Sequence, residues 1–244
     1  MPQAQEQPSI ETRIRQLTAL AGFIASVLAR LPFEQLRTLL KDKTTLRKNL
    51  QMVFQIPVDP YADVRIWWQE FYFKYFKIVI DFSEVLIPEK PTDGPHELQF
   101  HAKGLTMNGV IAVMRSLFKV WTYQDDLDAT VTINTRTSAQ SYAIWVRTGV
   151  EPDQKYLGKS TRDADMDGKI GMTLLERLVL EVKYFVATGQ HLDVKGVTLC
   201  TGSRYSGGSV PSVCWRAADA EVDVGAFSVD ISYPTFGLRS AVSL

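Results

Sequence analysis

The sequence predicts an α+β protein, with helices gathered in the first part of the chain and short antiparallel strands in the last. Three observations predict it. Apolar residues recur at helical spacing over the first fifty or so residues. The stretch from Val197 to Leu244 instead alternates apolar and polar residues in short runs, as in Val222 and Val224 against Glu221, Asp223 and Gly225. Between those runs lie Gly207-Gly208, Pro211 and Tyr233-Pro234, which is turn chemistry. At 244 residues the chain has material for one large domain or two small ones.

In chain order, residues 1–8 read as a polar tail, and Ser9 as the cap of a helix from Ile10 to about Ala29. That helix contains the 13-residue apolar run Leu17–Ala29. A bilayer span needs about 20 apolar residues. Arg13 and Arg15 precede the run as in a signal peptide, but Glu6 and Glu11 dilute the basic flank and no small-residue cleavage site follows. The run therefore reads as an amphipathic or buried helix, and the chain as cytoplasmic rather than secreted, with no stable membrane span. Pro32 falls near the first turn of a second helix, Phe33 to about Leu40. A third helix is expected from Lys41 to Phe54, through Leu46, Leu50, Val53 and Phe54.

The aromatic run Trp67–Phe76 has two readings. It is a base-stacking surface or, on the sparse Arg and Lys around it, a core helix, and the second is favoured. Lys77–Phe82, continued by Val85–Pro88, reads as one strand with an irregular end, and Glu89–Pro95 is the richest linker. The predicted division is a mainly helical region over 1–95 and a second domain over 96–244. There, strands are expected at Glu97–Ala102 and Ser141–Arg147, and helices at Met107–Phe118 (capped by Thr106) and Thr173–Val186 (ended by Gly189).

Lys plus Arg equal Asp plus Glu at 27 each, which argues against a duplex nucleic-acid partner. Two cysteines, Cys200 and Cys214, make no disulfide framework. They flank a hairpin where they pair or, the favoured reading, remain free thiols. Asp163, Asp165 and Asp167, followed by Gly168 and Ile170, open like a calcium loop of alternate oxygens and a turn glycine, but the twelfth position is Leu174. Calcium is thus a possible ligand, the alternative being an acidic loop before a helix. Asp125, Asp126 and Asp128 either ligate a metal or form a solvated loop. His96, His101 and His191 have no nucleophile motif near them, and no phosphate loop, dinucleotide fingerprint or zinc-finger spacing is present.

The order of features from residue 141 carries a resemblance. A strand Ser-Tyr-Ala-Ile-Trp-Val-Arg, an acidic loop and the helix Met172–Phe185 are followed by Gly-Ser-Arg (202–204), Val-Pro-Ser-Val-Cys-Trp (210–215) and Gly-Leu-Arg-Ser-Ala-Val-Ser (237–243). Residues 97–244 thereby resemble the C-type-lectin-like fold of the formylglycine-generating-enzyme branch. Within it they resemble the variable proteins of diversity-generating retroelements, and also a protein group common in candidate-phyla bacteria. The resemblance implies a non-catalytic protein that binds a protein or cell-surface ligand through scattered C-terminal positions. In this chain those are Tyr205, Ser206, Ser212, Cys214, Arg216, Phe227, Ser228, Asp230, Ser232, Tyr233 and Phe236. The sequence departs from the enzymes, whose copper-binding cysteines are closely spaced, and from sugar-binding lectins, whose Glu-Pro-Asn calcium motif is missing. Two alternatives remain: an enzyme or metal-binding protein of the same fold, using Cys200, Cys214 or the Asp125-Asp126-Asp128 cluster, and a calcium-stabilised structural module.

Overall fold

Two units divide the chain, Met1–Pro60 and Tyr61–Leu244, in a computed structural model that describes residues 10–42, 45, 49, 59–166 and 171–244. In the first unit, α1 (Ile10–Leu28) and α2 (Phe33–Lys41) lie where helical spacing places them. Pro32 caps α2, at a position where its missing N–H leaves nothing unsatisfied. The third expected helix, Lys41 to Phe54, lies for the most part outside the described residues. Among the described residues no helix is long and apolar enough to cross a membrane.

The boundary between the units falls at Pro60, before the aromatic run rather than after Pro95. Side-chain chemistry explains this. The run forms α3 (Ala62–Phe71) and then a π-helical turn, Tyr72–Phe76, which Lys77 ends in the left-handed region at φ 58°. Trp68, Phe71 and Tyr72 are buried in the main core. The Trp68 indole donates to the Leu98 carbonyl at 3.1 Å, and the Tyr72 hydroxyl to that of Phe100 at 2.8 Å. The run is therefore a core element of the second unit.

Residues 77–95 pair in no sheet and turn at Ser83-Glu84, so the strand expected over Lys77–Phe82 and Val85–Pro88 does not form. Side chains and one guanidinium hold this stretch instead of a ladder. Ile78, Ile80, Phe82, Val85 and Ile87 pack on the core, and Arg65 donates to the carbonyls of Phe82 and Val85. The expected linker is strapped down as well. The Trp145 indole donates to the Pro88 carbonyl at 2.9 Å, and Arg147 donates to the Asp93 carboxylate at 2.6 Å.

The remaining elements match the α+β expectation. β1 (His96–His101), β4 (Tyr142–Arg147) and β10 (Ala241–Val242) form an antiparallel sheet in the order β1-β4-β10. The second sheet has the order β2-β8-β7-β5-β9, with β2 Val120–Thr122, β5 Val197–Leu199, β7 Val210–Arg216, β8 Glu221–Phe227 and β9 Phe236–Gly237. Its central pairs are antiparallel, while both edge strands, β2 and β9, dock in parallel from distant parts of the chain. β3 (Ile133–Asn134) and β6 (Ser203–Arg204) make a small third sheet. The helices of this unit are α4 (Met107–Leu117), α5 (Leu127–Thr130), α6 (Thr161–Met166) and α7 (Leu174–Thr188). A capping box between Thr173 and Glu176 starts α7, and Gly189 ends it at φ 70°, where only glycine sits without strain.

Candidate ligand-binding face

The two faces of the five-stranded sheet differ because strand residues alternate sides. Val213, Val222 and Val224 point into the core, with Trp215 packed beside them. On the opposite face, Ser212 lies across from Gly225, Cys214 from Asp223 and Arg216 from Glu221, and β2 adds Trp121 beside Asp223. Phe236, Leu199 and Val210 close one end of this face, with Phe227 and Ile231 packed on them. The other end is open: Trp121 is 44% exposed and Tyr123 53%. Tyr123 meets Tyr205 edge to face at 5.8 Å, and the Tyr205 hydroxyl reaches the Gly225 carbonyl at 3.4 Å. Gly225 makes room here: a Cβ would lie 2.9 Å from the Ser212 hydroxyl and 3.1 Å from the Asp223 carboxylate, and both would have to turn away.

The eleven residues singled out by the resemblance divide by this geometry. Ser206, Arg216, Ser228, Asp230, Ser232 and Tyr233 are exposed, Cys214 and Phe227 are half-buried, and Tyr205, Ser212 and Phe236 are buried. Ser228, Asp230, Ser232 and Tyr233 lie on the loop between β8 and β9. Asp230 is tied to Arg162 at the start of α6, and this hydrogen bond holds its carboxyl below the usual range. Arg216 is bound to Asp223 at 2.9 Å and Asp219 at 2.8 Å, so the face carries near-neutral ion pairs rather than free charge. Sequence reasoning missed Trp121 and Tyr123. Their signal was two aromatics at i, i+2 ahead of an acidic cluster.

That cluster has a structural task. Asp128 accepts from the backbone N–H groups of Met107 (2.8 Å) and Asn108 (3.0 Å), at the N-terminus of α4. Asp126 accepts from the Asn108 amide at 2.7 Å and from the Ala129 N–H at 3.0 Å, which lowers its pKa. The carboxylates satisfy helix-end donors, as N-terminal acids do. The start of the expected calcium loop falls on α6. Asp163 and Asp165 fall within α6, while Asp167 lies outside the described residues. The Asp163 carboxylate accepts from the Ser160 hydroxyl at 2.8 Å, and its own N–H donates back at 3.2 Å. Among the described residues no group of three or more His, Cys, Asp or Glu is placed to hold a metal ion.

The two cysteines stand on opposite faces of the sheet. Thr198 pairs with Val213 and Leu199 with Ser212, so Cys200 points into the core while Cys214 shares the open face with Ser212. Burial pushes the Cys200 thiol up to about 12, and burial with the Asp223 charge pushes Cys214 up to about 11. Both are thiols at neutral pH, without nucleophilic character. We predict identical mobility of the purified chain on reducing and non-reducing gels after mild oxidation. An intramolecular crosslink would contradict the assignment of the two side chains to opposite faces.

Two buried ionic networks hold the rest of the unit together. Arg177 donates to Asp193 (2.8 and 3.0 Å) and Glu181 (2.8 Å), and Arg239 binds the other Asp193 oxygen at 2.5 Å. Thr198 on β5 donates to Asp193 at 2.6 Å and accepts from Arg239, so the network grips the core side of the sheet. His191 contacts Glu181 at 2.9 Å and stacks on Trp215 with ring centroids 3.8 Å apart. In the second network Arg136 makes a two-pronged pair with Glu176, which also accepts from the Tyr142 hydroxyl and the Thr173 N–H. Burial alone would raise the Glu176 and Asp193 carboxyls. Arg136 on the first, and Arg177 and Arg239 on the second, bring both below the usual range.

No protein-family model, curated protein or solved structure matches this chain.

Proposed function

We propose that the chain is a ligand-binding protein, a lectin-like variable protein of a diversity-generating retroelement, which takes a protein or cell-surface ligand on the open end of the five-stranded sheet. The observation that carries this reading is the open cluster of Trp121, Tyr123, Cys214 and Arg216 on a sheet whose other face is clamped by buried ion pairs. Large aromatics with few rotatable bonds, held on rigid strands, give contact area at small entropy cost. At the closed end of the same face the loop Ser228–Thr235 adds exposed Ser, Asp and Tyr. The two thiols lie on separate faces of the sheet, which supports binding over a copper site built from paired cysteines.

The encoding DNA tests the reading first. A near-repeat of the last ~130 bases (a length set by the strand-rich tail) is expected beside a reverse-transcriptase gene, differing mainly at adenines. The differing codons should fall on exposed positions such as Ser206, Arg216, Ser228 and Ser232, and spare Val213, Val222 and Val224. Absence of any repeat, or changes concentrated in the core codons, defeats the proposal. At the protein level, Trp121→Ala and Tyr123→Ala should each cost about 1 kcal/mol of stability, well short of a core truncation, since about half of each residue is exposed. Chemical denaturation of each variant measures it, and a larger loss would make these residues part of the core.

A further inference from the structure

A cleft of about 290 Å³ lies on the second unit away from the sheet face, lined by Trp67, Glu70, Phe71, Lys74, Tyr75 and the last turn of α7 at Val186 and Ala187. Its walls are aromatic. Trp67 stacks on Phe71 with centroids 5.3 Å apart and planes 14° apart, yet remains 40% exposed, so part of the indole faces the opening. Its charges are set by the backbone. Glu70 and Lys74 have the i, i+4 spacing at which a regular helix brings a carboxylate and an ammonium together. The wider π-helical turn at Tyr72–Phe76 falls between them, and the Lys74 ammonium lies instead over the Tyr75 ring, 4.9 Å from its centre. Glu70 and Lys74 make no ion pair with each other among the described residues. One small cleft thus holds a separate carboxylate and ammonium, with apolar walls between them. Single π-helical turns are frequent at functional sites.

We propose that this cleft binds a small zwitterion with an apolar body, of the size and chemistry of a free aliphatic or aromatic amino acid. The ligand ammonium pairs with Glu70, in the negative field at the C-terminal end of α7. The ligand carboxylate pairs with Lys74. The apolar body rests on Trp67, Val186 and Ala187. Because Glu70 and Lys74 are both exposed, the affinity is modest, with a Kd on the order of 1 mM.

The test uses the ¹⁵N-labelled full chain and the indole resonance of Trp67, assigned by its loss in Trp67→Phe. The chain is titrated with leucine, with leucinamide (ammonium only) and with N-acetylleucine (carboxylate only). Leucine is expected to give a saturable shift, and each single-charge analogue to bind about tenfold more weakly. Glu70→Gln should abolish the preference for leucine over N-acetylleucine, and Lys74→Gln the preference over leucinamide. Both side chains are exposed, so both variants fold. No saturable shift with leucine, equal binding of all three, or unchanged preferences in the two variants overturns the proposal.

Discussion

Replacing Arg177 by methionine should destabilise the folded chain by about 3–5 kcal/mol, the usual cost of removing one partner from a buried ion pair. Arg177 is fully buried, as are Glu181 and Asp193. Its guanidinium carries three of the hydrogen bonds that satisfy those two carboxylates. Burial opposes its charge, but Asp193 and Glu181 more than offset this and hold the group protonated. Methionine fills most of the volume and keeps helix propensity, so what remains is the electrostatic loss. Arg239 still balances one charge on Asp193 at 2.5 Å, while Glu181 keeps only His191 at 2.9 Å. Urea unfolding of the two proteins decides the matter. A change below about 1 kcal/mol would place Arg177 among weak surface pairs and contradict the full burial of Arg177, Glu181 and Asp193.

Acid should weaken the protein from about pH 6.5 downward, before any carboxylate titrates. His101 is fully buried on β1 with its ring against Tyr142, centroids 4.7 Å apart. Burial lowers its pKa to about 4; the nearby Glu176 charge raises it less than that, and Arg136 lowers it further. Between pH 6.5 and 4 the unfolded chain takes up a proton there that the folded chain does not. Stability therefore falls as pH falls across that window, by roughly 3 kcal/mol in full for a shift of this size. Glu176 and Asp193 act in the same direction but at lower pH. Their folded-state values are depressed, so their contribution is lost only as pH drops below the ordinary carboxylate range. The two effects separate in a pH series. His101→Phe should flatten the slope between pH 6.5 and 4.5 and leave the steeper loss below it. An unchanged slope in that variant would assign the acid sensitivity to other groups.

Local chemistry was legible in the sequence by itself. The stripe Leu174, Leu175, Leu178, Val182 with Thr173 before it and Gly189 after it gave α7 with its caps, because a helix and its ends are set by neighbours within four residues. Thr106 before α4 and the alternation of Val222 and Val224 in β8 were readable for the same reason. The α+β class followed from those periods. Tertiary structure decided what depends on partners far along the chain. The aromatic run joined the second unit because Trp68 and Tyr72 find carbonyls on β1, 30 and 28 residues on respectively. Residues 77–82 have strand composition but no strand beside them, so they stayed unpaired. Asp126 and Asp128 read as a metal or solvent cluster until α4 brought its unsatisfied backbone N–H groups to Asp128 and the Asn108 side-chain amide to Asp126. Arg177 and Glu181 have the spacing of a surface ion pair, and only the placement of Asp193 and Arg239 around them makes burial of those charges affordable in energy. The open face has the same origin. β2 brings Trp121 beside Asp223 and Cys214 from a hundred residues away, a pairing set by sheet docking and not by any pattern within either segment.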